Sequence, residues 1–260
     1  MTKILAVTNQ KGGVGKTTTS VNLAASLAAE KRRVLLIDLD PQGNATMGSG
    51  IDKRNLRQTV YEVLLGTANI NEVKVMSPSG GFDLIPANRE LAGAEVELVE
   101  VKNREHRLKS TLHEIQNNYD FILIDCPPAL NLLTVNGLCA AHAVMIPMQC
   151  EYYALEGLSD LVETIKKVRV NLNPELQIEG LLRTMFDPRN LLAQQVSDQL
   201  KQHFNDKVYD TIIPRNIRLA EAPSHGVPVI SYDKTSKGAQ AYLALAAEVL
   251  SRAGMTGKTE

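Results

Sequence analysis

At 260 residues, with 44% apolar and 22% charged side chains, the chain has the makings of one large soluble globular domain, or at most two. A net charge of −1 leaves no strongly basic footprint for nucleic acid, so any such affinity must come from a local patch or from a surface made by dimerisation. No apolar run approaches the roughly 20 residues that span a bilayer, and Met1-Thr2-Lys3 leads straight into a strand without a signal-peptide layout, which predicts a cytoplasmic address.

In chain order, an apolar run at 4–7 predicts the first strand and a helical pattern follows at 21–29. Between them lies Asn9-Gln10-Lys11-Gly12-Gly13-Val14-Gly15-Lys16-Thr17-Thr18-Thr19. A strand, a glycine-rich turn and a helix start make a phosphate cradle: glycines let backbone N–H groups converge on an anion, and the helix dipole adds partial positive charge. Lys16 is placed for the β- and γ-phosphates and the Thr17 hydroxyl for Mg²⁺, with Lys11, Gly12, Gly13, Val14, Gly15 and Thr18 completing the loop. The standard spacing G-x-x-x-x-G-K-[ST] asks for glycine at position 10, where this chain has Gln10. A second lysine, Lys11, opens the loop instead, so one loop carries two cations for one polyphosphate. The pattern predicts that the chain binds a nucleoside triphosphate.

Further strands are predicted at 34–37, 82–85, 121–124, 143–146, 178–182 and, shorter, within 208–213, with helices at 104–116, 154–169, 191–204 and 236–251. Several of these strands are continuously apolar, which suits strands covered on both faces. The alternation predicts an α/β fold: a doubly wound, mostly parallel sheet flanked by helices, with ligands at the strand C-terminal ends. A single domain over 1–252 is expected, followed by a flexible polar tail at 253–260.

Two strand ends carry acids, in Ile37-Asp38-Leu39-Asp40-Pro41 and in Ile124-Asp125-Cys126-Pro127-Pro128. A carboxylate closing an apolar strand is costly unless a cation lies beyond it, and phosphate-bound Mg²⁺ is such a cation. Asp125 fits a metal-holding role, directly or through water, and Asp38 a place in the metal shell. Asp40 starts a turn and is placed to orient the attacking water. Helix capping or turn formation is the plainer alternative for each. Cys126, Cys139 and Cys150 lack C-x-x-C spacing and read as buried thiols, with a cluster shared between two subunits as the alternative.

Together the loop at 11–18, Asp38-Leu39-Asp40-Pro41-Gln42-Gly43-Asn44-Ala45-Thr46 and Ile124-Asp125-Cys126-Pro127-Pro128 resemble the ParA/Soj chromosome-partitioning ATPases, P-loop NTPases with a deviant Walker A loop. The likeness continues in the segments 91–98, 149–158 and 213–226, and so spans residues 2 to about 250. It implies ATP and Mg²⁺ as ligands, weak Mg-dependent hydrolysis, and an ATP-dependent homodimer. Lys11 resembles the lysine that reaches the partner subunit's phosphates, Gly12 a glycine at the dimer face, and Asp40 the residue needed for hydrolysis. Pro214 and Arg215, with Asp187 near them, resemble the adenine-packing positions. Arg189 and Arg218 resemble arginines used for sequence-independent DNA binding; by themselves they read as surface or ion-paired residues. Lys234 and Lys237 are candidates to extend that patch, and Arg183 departs from the apolar residue expected at its position.

The resemblance further implies a ParB/Spo0J-like partner that stimulates hydrolysis, a nucleoid-associated location and no membrane binding. The alternative is a MinD-like membrane-associated positioning ATPase, which requires a C-terminal amphipathic helix with aromatic and basic residues. The segment 247–255 has no aromatic and few basic residues.

Overall fold

A computed structural model describes residues 2–255. The apolar runs form β1 (Lys3–Val7), β2 (Val34–Asp38), β3 (Val75–Met76), β4 (Asp83–Ile85), β5 (Phe121–Asp125), β6 (Ala143–Met148), β7 (Gln177–Phe186) and β8 (Val208–Pro214). They make one sheet in the order β3-β4-β2-β5-β1-β6-β7-β8. Only the β3–β4 pairing is antiparallel; the others run parallel.

Side chains alternate across the strands, so each strand feeds two cores. Ile4, Ala6, Leu35, Ile37, Ile122 and Ile124 point to one face, and Leu5, Val7, Val34, Leu36, Phe121 and Leu123 to the other. Every residue of β2, β5 and β6 is buried, as continuous apolar runs require. The helices are α1 (Lys16–Ala29), α2 (Asn44–Gly48), α3 (Val60–Leu65), α4 (Ile70–Val73), α5 (Leu91–Glu97), α6 (Arg107–Leu112), α7 (Leu132–Ala140), α8 (Ala154–Asn171), α9 (Leu191–Phe204), α10 (Ile217–Glu221), α11 (Val229–Tyr232) and α12 (Lys237–Arg252). Helices α3 to α9 cover the first face, and α1, α11 and α12 the second.

Several boundaries differ from the sequence expectation for identifiable reasons. The helix expected over 104–116 breaks into a 3₁₀ turn at Arg104–His106, α6, and a second 3₁₀ turn at Gln116–Asn118. Asn136 of α7, fully buried, inserts its amide where a continuous helix would bond Leu108 N–H to Arg104 O. Its Oδ1 accepts from Leu108 N at 3.2 Å and its Nδ2 donates to Arg104 O at 2.8 Å. Helix α7 itself was not expected, because it is buried almost all round and so shows no amphipathic period. β7 runs past the predicted end because Arg183 is accommodated inside. Its guanidinium donates to Ser197 Oγ and to the Tyr209 and Asp210 carbonyls at 2.7–3.1 Å. That arginine is 2% exposed, so the departure noted at this position changes the interior and not the surface.

After α12 the chain turns back on itself. Gly254 adopts φ 65, Met255 N–H donates to Leu250 O, and Ala253 and Met255 pack on the second core. Residues 253–255 are therefore held and not frayed; the rest of the expected tail, 256–260, lies outside the described residues.

Candidate nucleotide site

The chain moves from β1 first toward the β3 edge and later toward the β8 edge, so a crevice opens above the C-terminal ends of the central strands. The loop after β1 lies there. Gly13 and Gly15 take φ 74 and 87, backbone that other residues rarely adopt. Gly15 caps α1 with no side-chain hydrogen bond, and the first turn of α1 contains no acid, so its N–H groups remain available to an anion. Neighbouring strands brace the loop. Thr184 Oγ1 donates to Val14 O at 2.7 Å, Asn9 Nδ2 to Pro147 O at 2.9 Å, and Asn9 Oδ1 accepts from Lys11 N–H.

Lys16 is 7% exposed and donates from Nζ to Lys11 O at 2.9 Å, curling its charge into the loop. Burial holds its pKa below the ordinary lysine value, opposed by the charges of Asp125 and Asp40. Thr17 Oγ1 donates to Asp125 Oδ2 at 2.8 Å and Ser20 Oγ to Asp125 Oδ1 at 2.7 Å. Asp38 and Asp125 are register partners on β2 and β5. Both are fully buried, and burial raises both carboxyl pKa values, with the charge of Asp38 adding to the rise at Asp125. Two buried acids side by side favour a cation in contact with one of them. Thr17 and Asp125 offer the hard oxygen donors that suit Mg²⁺.

Asp38 is engaged by three hydrogen-bond donors. Its Oδ2 accepts from Thr46 N and Thr46 Oγ1 at 2.8 and 2.7 Å, and its Oδ1 from Asp40 N–H. It thus anchors the turn that carries Asp40. Asp40 is half-buried, and its Oδ1 accepts from Gln42 N–H, a turn-forming contact. Lys11 is half-exposed and ion-paired with Glu151. Tyr152 and Tyr153 follow, 74% and 71% exposed, an unusual display of aromatic surface beside a phosphate loop.

A cavity of about 260 Å³ adjoins the loop, lined by Gly15, Thr18, Met185, Pro214, Arg215 and Tyr242 among others. Pro214 and Arg215 thus border a cavity next to the loop. Asp187 stands near Arg215, whose charge acts on it, though outside this lining; its carboxylate binds Arg189 through two contacts of 3.0 and 2.8 Å. That contact also draws the Asp187 pKa down to about 2. Arg218 pairs with Glu221 at 2.7 Å and with Asp233 at 3.4 Å. Both arginines are thus ion-paired on the surface, the plainer of the two readings. Pairs so exposed are screened by solvent and contribute little to stability.

The sequence reading did not single out Ser20, Thr46, Thr184 or Glu151. Ser20 lies one helical turn after Lys16, a spacing that was available; Thr184 and Glu151 reach the loop only through tertiary structure. All three cysteines are buried and free, which leaves none at a surface to be shared with a second subunit. Among the described residues, no cluster of three or more His, Cys, Asp or Glu is poised to hold a metal, and no helix is long and apolar enough to cross a membrane.

A family described as AAA domain matches residues 2–178. The sporulation initiation inhibitor protein Soj of Bacillus subtilis is 57% identical over 249 residues, which is 96% of this chain and 98% of that one. The chromosome partitioning protein ParA of Caulobacter vibrioides is 53% identical over 252 residues, 96% of this chain and 94% of that protein. Among solved structures, a Mycobacterium smegmatis protein described as cobyrinic acid a,c-diamide synthase, with bound ADP and magnesium, superposes with a TM-score of 0.86. It is 40% identical, over 98% of this chain and 96% of that one. Loop, acids and full-length likeness agree, and the chain belongs to the ParA/Soj family of chromosome-partitioning ATPases.

Proposed function

We propose that the chain is a weak, Mg-dependent ATPase that dimerises on ATP, binds DNA without regard to sequence in that state, and is released when a ParB/Spo0J-like partner stimulates hydrolysis. The observation that carries the reading is the meeting of Lys11, Lys16, Thr17, Asp125 and the Asp40 turn around one loop. The relative with bound ADP and magnesium supports the choice of ligands.

In this reading the loop N–H groups and Lys16 hold the β- and γ-phosphates, with Lys16 leaving the Lys11 carbonyl for them. Thr17 and Asp125 hold magnesium, which when bound neutralises charge on the phosphate oxygens. Asp40 orients the attacking water. Asp38, through Thr46 and the Asp40 backbone, keeps that turn in register. Thr184, Met185, Pro214 and Arg215 wall the base. Lys11 exchanges the exposed pair with Glu151 for the partner subunit's phosphates, and Tyr152 and Tyr153 become covered at the dimer face. Turnover is slow because Asp40 has no strong base beside it.

Arg189 and Arg218, joined by Lys234 and Lys237, supply phosphate contacts, and two copies per dimer double a weak patch. The membrane-switch alternative finds no support in α12. Its apolar residues Tyr242, Leu245, Ala246, Val249 and Leu250 are buried in the second core and not free to enter a bilayer. DNA co-sedimentation with ATP, with ADP and without nucleotide tests the proposal: pelleting with ATP alone, weakened by salt, is the expected result. Equal pelleting in all three conditions, or none, refutes it.

A further inference from the structure

Arg218 stands on α10, which together with the 3₁₀ turn Ala222–His225 and α11 forms the excursion between β8 and α12. Two joints tie this excursion to the nucleotide cradle. The first is backbone against backbone. Gly50 follows α2 with φ 86, and Gly226 closes the 3₁₀ turn with φ 64. A methyl group added at Gly50 would lie 2.8 Å from Gly226 O, and one added at Gly226 would lie 3.2 Å from Gly50 Cα and 3.4 Å from Met47 O. Helix α2 in turn hangs from the end of β2, through Thr46 on Asp38 and through Gly43 N–H on Asp40 O at 2.8 Å. A shift of the Asp40 turn reaches Gly226 with no side chain between to absorb it.

The second joint is Asn22, 4% exposed and one helical turn after Thr18. Its Nδ2 donates to Thr18 O at 2.8 Å and its Oδ1 accepts from Val229 N–H at 2.7 Å. A cavity of about 430 Å³, lined by Thr17, Thr18, Asn22, Asn44, Met47 and Pro223 among others, lies between the two joints and leaves the excursion room to move. Arg218 is gripped at both ends of the same excursion, by Glu221 ahead of the 3₁₀ turn and by Asp233 after α11. Asp233 N–H donates to Val229 O at 2.8 Å, so the residue that Asn22 holds is also bonded to a counter-ion of Arg218.

We propose that these two joints, Gly50 against Gly226 and Asn22 to Val229, transmit the state of the phosphate loop and the Asp40 turn to the Arg218 segment, so that release of the arginine from Glu221 and Asp233 depends on the nucleotide bound. The inference rests on the functional reading above for the identity of the nucleotide and of the polyanion. Energetically it is a coupling between two sites through two close contacts, and such couplings change affinity by about 5- to 150-fold. Gly50, Gly226 and Asn22 are positioning residues in this device and touch neither ligand.

The test follows hydrogen exchange of residues 217–233 in the full chain, without nucleotide, with Mg·ADP and with a non-hydrolysable Mg·ATP analogue. Nucleotide affinity and binding to a mixed-sequence duplex are measured on the same samples. In the unaltered protein, exchange in this segment differs between the ADP and ATP states, and duplex affinity differs about tenfold. Gly226→Ala removes both differences while nucleotide affinity stays within about threefold. Asn22→Ala does the same, and guards against poor folding of the first variant. Exchange that is identical in the two states of the unaltered protein, or a difference that survives in both variants, overturns the coupling. If exchange responds as described but no state binds the duplex, the joints stand and the DNA reading falls. If no nucleotide binds at all, both fall.

Discussion

Lys16 and Lys11 divide the work of one loop by their surroundings. Lys16 is buried and aimed inward at the Lys11 carbonyl, whereas Lys11 is half-exposed and held only by Glu151. Lys16→Ala should therefore weaken ATP binding about 100-fold, equivalent to about 3 kcal/mol, in a fluorescent-nucleotide titration; affinity within a factor of a few of the parent would remove it from the site. Asp40→Ala should leave that affinity intact and slow phosphate release about 100-fold or more, since a water-orienting acid contributes in that range. Arg218→Glu should dimerise normally yet lose DNA, and unchanged DNA affinity would exclude it from the patch. The phosphate loop and the strand-end acids were legible in the sequence because their chemistry depends on neighbours along the chain. The hydrogen bonds of Asp38 and Asp187 were not legible, for one reason: which way a carboxylate turns depends on donors outside the motif that was read, Thr46 for one and Arg189 for the other.

Elements were legible where burial is one-sided and local. Helix α9 begins and ends where its apolar spacing predicts, with the Asn190 side chain accepting from Ala193 N–H at its start. The central strands likewise follow from runs such as Val34-Leu35-Leu36-Ile37. Illegible were elements whose form depends on a partner: α7, apolar all round, and the break in the 104–116 helix made by Asn136. Asn136→Ala leaves Leu108 N–H and Arg104 O without that bridge and should cost about 2–4 kcal/mol in urea unfolding. Asn190→Ala, which removes only an N-cap, should cost about 1 kcal/mol. Equal costs for the two would mean that the Asn136 bridge contributes no more than a cap.

For the whole molecule, the paired buried acids set both a pH dependence and a demand for ligand. Asp38 and Asp125 have folded-state pKa values above their unfolded ones, so their contribution favours the folded protein at low pH. It is lost as pH rises from the ordinary carboxylate value near 4 to about 7. Without nucleotide the melting temperature should fall across that window, and Mg·ATP should flatten the fall by supplying the cation. A melting temperature that rises steadily over the same range, with no effect of Mg·ATP on the slope, would contradict this. The larger demand is for a second copy of the chain, because Lys11, Tyr152 and Tyr153 face outward around a loop that already holds one lysine. Light scattering of the Asp40→Ala protein with saturating Mg·ATP tests this most directly. The account predicts that the 28.5 kDa mass of the chain doubles with ATP and remains single with ADP. A mass of 28.5 kDa under both nucleotides would contradict it.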